Sequence, residues 1–262
     1  MIDKKLNFVL VTRHLNQSGY QCLSSLLKAG LVPRAIIVSS KKPTLSIFWL
    51  RPLIIGFYKF KCWFYRCEKL RMLNSEECLA KKNRVPIIRI SSFKTSNAHN
   101  VIKKLNLDLI VVAGGWHEKI PINVIKCPRF GSINIHPSLL PKFRGTSITR
   151  WQVYEGVNKS GVTIHLMDEK FDNGNVIAQY QIDLNAKITP QALFQSISKK
   201  SSSLLVNVLN AKQKNSESDW KQIDFLDDKS NIIYNRYYPK WSWDSIHLRI
   251  KLNQKFSKIN AL

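Results

Sequence analysis

The chain has 262 residues, 44% of them hydrophobic, with 41 basic side chains against 17 acidic ones, a formal net charge of +24 and a pI near 10.0. This length suits one large domain or one domain with a small addition, and the apolar content excludes a disordered chain. The charge speaks of partners rather than of fold: it attracts polyanions such as nucleic acid, anionic lipid or phosphorylated metabolites, unless it reflects a lysine-rich background.

Cys22, Cys62, Cys67, Cys78 and Cys127 contain no C-x-x-C pair, so reduced thiols are expected in place of a metal site or a disulfide framework. Residues 1–6 are half polar and lack the apolar core of a signal peptide, so a cytoplasmic location is expected, with membrane association as the other reading.

In chain order, residues 6–11 read as a buried strand and 21–29 as a helix closed by Gly30. Residues 34–39, 86–90 and 108–113 repeat the apolar strand pattern, with helices expected over 75–83 and 97–105. Strands alternating with helices predict a doubly wound, mostly parallel, Rossmann-like α/β sheet, with one catalytic domain over 1–210.

Residues 41–73 break that rhythm. Trp49, Trp63, Phe64 and Tyr65 alternate there with Arg51, Lys59, Lys61, Arg66 and Lys69. No uncharged run reaches the roughly 18 residues that a membrane span needs. Packing on the domain or on a second subunit of a homodimer is the expectation, with peripheral contact to an anionic membrane as the other reading. The tail, 211–262, reads as a short C-terminal extension, where Trp243, Ile246 and Ile250 are spaced for a terminal helix over 242–252.

The chemistry is expected in the second half. Residues 132–138 read as a strand entering a turn at Pro137, so Ile133 and Ile135 face one way while Asn134 and His136 face the other. That delivers an amide and an imidazole to the carboxyl edge of the sheet, where open α/β folds bind ligands. Residues 161–167 and 176–182 read as a hairpin around the acidic loop 168–174, whose tip presents Asp172. Two donors and a carboxylate suit acyl transfer to an amine: Asn134 and His136 stabilise an oxyanion, and Asp172 accepts the proton. No nucleophile belongs to the trio, so direct transfer is expected.

The segment from Asn134-Ile135-His136-Pro137-Ser138 through Phe143-Arg144-Gly145 resembles the signature loop of the folate-dependent formyltransferases. The run Gly161-Val162-Thr163-Ile164-His165 followed by Asp172-Asn173-Gly174 resembles that family's second signature; Leu166 and Phe171 depart from its usual residues. The likeness covers about 106–184. It implies catalytic roles for Asn134, His136 and Asp172, and 10-formyltetrahydrofolate as co-substrate without a metal. It also implies folate contacts at Gly115, Trp116, Lys119, Ile120 and Asp168, with the backbone of 114–121 lining the pterin pocket.

Three acceptor classes occur in the family. A glycine-rich phosphate loop after the first strand, as in the purine enzyme, is not matched by Thr12–Gly19, which holds one glycine. The tRNA enzyme carries a further barrel-like domain, whereas 48 residues follow Lys214 here. A nucleotide-linked amino sugar is therefore the expected acceptor, with Arg144 and Arg150 as candidate phosphate contacts. A tRNA-directed enzyme is the alternative within the family. A catalytically silent RNA- or membrane-binding protein is the alternative outside it, and retention of all three site residues argues against that one.

Overall fold

A computed structural model describes residues 5–40, 75–116, 118–185, 187–214, 220 and 237–238. The insert read over 41–73 and the terminal helix read over 242–252 lie outside the described residues. The chain divides into two compact units, one spanning Lys5–Gly131 and the other starting at Ser132.

The first unit is built from runs too apolar to leave either face in water. Strands β1 (Phe8–Thr12), β2 (Ala35–Ser39) and β4 (Leu109–Val112) are buried throughout, and β3 (Ile87–Ile90) is half-exposed. Their order is β3-β2-β1-β4, with every pair parallel, for example Val9 opposite both Ala35 and Ile110. Parallel strands need crossovers, which helices provide. These are α1 (Gln17–Lys28), α2 (Glu76–Lys82), α3 (Ser96–Lys104) and the single-turn α4 (Ile122–Ile125).

Side chains stop the first three helices from fraying. Asn16, Ser75 and Thr95 each accept an N–H three residues on, from Gly19, Cys78 and Ala98. Helix α1 accordingly starts four residues before the stretch its apolar spacing marks. It buries Cys22, Leu23 and Leu26. Burial pushes the Cys22 thiol up to about 12, and Cys22, Cys78 and Cys127 are all free.

The second unit holds β5 (Ser132–His136), β6 (Arg144–Gly145), α5 (Ile148–Glu155), β7 (Lys159–Leu166), β8 (Val176–Asp183), α6 (Pro190–Lys214) and β9 (Tyr237–Tyr238). Strands β5, β7 and β8 pair antiparallel in that order, so the expected hairpin is present. The fold is thus α/β and mixed, with a parallel sheet in the first unit. Helix α6 continues to Lys214, so the boundary expected at 210 falls inside a helix. Its buried face includes Ser198, Ser201 and Ser202 beside Leu193, Ile197 and Leu205, and those serines blur the apolar period. No helix among the described residues is long and apolar enough to cross a membrane.

The hairpin closes tightly. A Cβ on Gly174 would lie 1.8 Å from the carbonyl oxygen of Leu166, a backbone atom that cannot swing aside. Gly174→Ala is expected to cost about 1–3 kcal/mol, the usual range for overpacking, read as a lower urea midpoint; an unchanged midpoint would show that the turn has room to relax.

Candidate active site

Strand β5 sends its side chains to alternate faces. Ile133 and Ile135 are buried on one, while Asn134 and His136 share the other. Antiparallel register sets Asn134 opposite His165 and His136 opposite Thr163 on β7. The turn between β7 and β8 folds back over this end and carries Asp172 at φ +50, in the left-handed region. All three expected site residues therefore meet in one cluster.

Asp172 is the hub. Its Oδ1 accepts from Asn134 Nδ2 at 3.3 Å and lies 3.4 Å from His136 Nδ1. Its Oδ2 accepts from the backbone N–H of Gly145 at 2.9 Å. The other ring nitrogen of His136, Nε2, donates to the carbonyl of Phe143 at 2.8 Å. Both imidazole nitrogens thus face oxygen acceptors, an arrangement that the doubly protonated ring satisfies.

His165 is the member that sequence reading did not single out. Its Nδ1 donates to the carbonyl of Leu166 at 2.7 Å, and in the neutral ring Nε2 accepts from Asn134 Nδ2 at 3.1 Å. Protonation would turn that same nitrogen towards Asp172 Oδ1, 3.8 Å away. With the neutral ring, both amide hydrogens of Asn134 have partners. The signal for His165 was its place opposite Asn134, legible only once the β5–β7 register is known.

Burial by itself raises the Asp172 carboxyl. The His136 hydrogen bond, the contact with His165, the charge on His136 and the Gly145 N–H outweigh it, and hold the group well below the usual carboxylate range. It is an anion at any physiological pH.

The loop from Pro137 to Ser147 is tethered at many points. Ser138 Oγ donates to the Lys142 carbonyl at 2.8 Å. Thr163 Oγ1 donates to the Ser138 carbonyl at 2.6 Å and accepts from Leu140 N–H at 3.0 Å. Gln179 Nε2 bonds the Leu140 carbonyl, and Gln152 Nε2 the Pro137 carbonyl, each at 2.9 Å. This density matters because Phe143, Gly145 and Ser147 have φ of +55, +107 and +59. Non-glycine residues in such conformations cost on the order of 1–3 kcal/mol each and persist only where surroundings over-determine them. Gly145 is the residue whose extended, positive φ requires glycine.

The other expected residues fall as follows. In the first unit, Gly115 has φ +74, Trp116 is half-buried with its ring centroid 4.8 Å from that of Phe93, Lys119 is exposed and Ile120 is buried. In the second, Asp168 accepts from Lys170 N–H at 2.8 Å and from Asn173 Nδ2 at 3.0 Å, so its carboxylate ties the hairpin loop together. Arg144 bonds the Phe171 carbonyl through Nε at 3.1 Å, next to Asp172. Among the described residues no group of three or more His, Cys, Asp and Glu side chains is placed to hold a metal ion.

Several groups of the turn between β1 and α1 bond to one another or to α2. Asn16 Oδ1 accepts from Gly19 N–H at 3.0 Å, and the Asn16 N–H donates to Glu76 Oε2 at 3.2 Å. His14 Nδ1 meets Glu77 Oε1 at 2.8 Å, and Arg89 pairs with the same carboxylate.

The second unit thus brings a carboxylate, an amide and an imidazole together at a strand end, and the comparisons give the family of the chain. Residues 68–209, more than half of the chain, match the family model described as formyl transferase, and the chain belongs to that family. The methionyl-tRNA formyltransferase of Lachnospira eligens is 38% identical over 123 residues, 47% of this chain and 39% of that protein. The crystal structure of phosphoribosylglycinamide formyltransferase from Anaplasma phagocytophilum matches with a TM-score of 0.61 at 18% identity, covering 81% of this chain and 89% of that one. A sugar N-formyltransferase from a Shewanella species matches with a TM-score of 0.57 at 16% identity, over 89% of this chain and 76% of the other. These two structures share the fold. The chain spans less than half the length of curated relatives such as the Lachnospira protein.

A carboxyl group held below its unfolded value, ~3.9, stabilises the fold fully above that pH and loses its contribution as pH falls through the range below it. Asp172→Asn removes that term. The stability gap between wild type and variant in urea titrations should therefore narrow as pH drops below ~3.9; a gap that widens on acidification would contradict the assignment.

Proposed function

We propose that this protein transfers a formyl group from 10-formyltetrahydrofolate to a primary amine carried by a nucleotide-linked amino sugar. The observation that carries the formyl-transfer reading is the meeting of Asn134, His136 and Asp172 in one largely buried cluster, in a chain of the formyl transferase family.

The formyl folate supplies an activated one-carbon carbonyl, whose transfer puts negative charge on its oxygen and moves a proton from the amine to the leaving nitrogen. The residues present suit it: two donors stand beside a carboxylate in a largely dry site, where preorganised donors are worth more than in water. The donor that Asn134 lends to Asp172 is its longer contact, 3.3 Å against 3.1 Å to His165. Turning that N–H towards the developing oxyanion stabilises the charge and deprives Asp172 of a donor. Loss of the donor raises the proton affinity of the carboxylate at the moment the amine must be deprotonated. His136 keeps its bond to Phe143 and its place beside Asp172. In this reading Gly115, Trp116, Lys119 and Ile120 hold the folate, a flat ring beside open backbone being what a pterin requires.

Two N–H groups of the β1–α1 turn, those of Asn16 and Gly19, are already engaged by Glu76 and Asn16, which supports an acceptor other than a ribonucleotide whose phosphate would sit at the first βα turn. The net charge of +24 favours one second reading, an initiator tRNA acceptor.

The test is a panel. Wild-type protein with 10-formyltetrahydrofolate should release folate in the presence of dTDP- or UDP-linked amino sugars, and Asp172→Asn should slow this by ~10²–10⁴ while folate still binds. Turnover confined to charged initiator tRNA would overturn the sugar assignment. A near-normal rate in Asp172→Asn would remove Asp172 from the proton transfer.

A further inference from the structure

We propose that the two-residue strand Tyr237–Tyr238 is a strap that positions the catalytic loop. Strand β9 pairs in parallel with β6, setting Tyr237 opposite Arg144 and Tyr238 opposite Gly145. Those two loop residues are the ones that grip the hairpin tip: Gly145 N–H holds Asp172 Oδ2 at 2.9 Å, and Arg144 Nε holds the Phe171 carbonyl at 3.1 Å. The residue before them, Phe143, supplies the carbonyl that orients His136.

The same stretch carries three consecutive odd-numbered residues at positive φ, Phe143, Gly145 and Ser147. Phe143 and Ser147, which carry side chains, need outside support to stay in that state, whereas glycine adopts it freely. Thr163 and Gln179 tether the carbonyls of Ser138 and Leu140, and the Ser138 hydroxyl those of Lys142 and Phe143. Past that point the β9 backbone supplies the further pairing. A second described point of the tail also lies on this unit: Lys212 Nζ on α6 sits 5.0 Å from the ring centroid of Trp220. Tyr237 and Tyr238 are positioning residues that act through Gly145 and Arg144, and their contribution is made by backbone pairing.

The kinetic part of the test rests on the formyl-transfer reading, and the exchange part does not. In the full chain, replacing Tyr237 and Tyr238 together by proline removes both backbone N–H groups, while replacing both by alanine keeps them. Hydrogen exchange followed by mass spectrometry should show the Gly145 amide opening about tenfold faster or more in the proline pair, with β5 and β7 as protected as in wild type. The alanine pair should behave as wild type. If wild-type turnover is measurable, kcat should fall about 10- to 100-fold in the proline pair, with KM for folate and amine within about twofold, and recover in the alanine pair. Unchanged exchange at Gly145 in the proline pair would overturn the strap. Faster exchange across β5 and β7 as well would make the pairing a global stability element and overturn it equally. Loss of turnover in the alanine pair would place the effect in the side chains and contradict a backbone strap. Absence of wild-type turnover with loop-confined exchange would contradict the proposed function while upholding the strap.

Discussion

The Asp172 carboxylate organises the second unit much as a bound ion would. It is nearly out of water, an unfavourable place for a charge, and becomes tenable because Asn134, His136 and the Gly145 N–H converge on it. Each of these groups belongs to a different part of the chain. Asn134 and His136 come from β5, Gly145 from the loop after it, and Asp172 from the β7–β8 turn. One anion thereby specifies how a strand end, a strained loop and a hairpin tip sit together.

The same arrangement explains why so many polar groups are buried around the loop. Phe143 and Gly145 must present a carbonyl and an N–H in set directions; Phe143 does so in a left-handed conformation costly for a side-chain-bearing residue, and Gly145 at a positive φ that glycine adopts readily. Ser138, Thr163, Gln179 and Gln152 are all buried, and each hydrogen-bonds loop backbone. Buried polar networks with every member satisfied rigidify a site, and partly satisfied ones loosen it. Rigidity at this point serves chemistry, because the loop backbone that holds His136 and Asp172 need not reorganise as charge develops.

Much of this was legible in the sequence. Unbroken apolar runs marked β1, β2 and β4, and the two-residue period of Ser132–His136 separated Ile133 and Ile135 from Asn134 and His136. The hairpin and Asp172 at its tip followed from the same pattern. Other features depend on tertiary partners and left no local trace. Helix α6 hides behind buried serines, and α5 starts at Ser147 without a side-chain cap. His165 reads as one more strand residue until antiparallel register sets it opposite Asn134. The depth to which Asp172 is held in its charged form, and the return of β9 to Arg144–Gly145, involve residues far apart in the chain, and no periodicity reports them.

The most direct test of the account is the titration of Asp172 itself, followed through the chemical shift of its carboxyl carbon in selectively labelled protein. A carboxylate clamped by His136, Asn134 and Gly145 should stay ionised as pH falls through ~3.9, the ordinary aspartate value, down to the limit of the fold. A midpoint at or above ~3.9 would mean that burial outweighs those donors, and that Asp172 is not the anion on which this site is assembled.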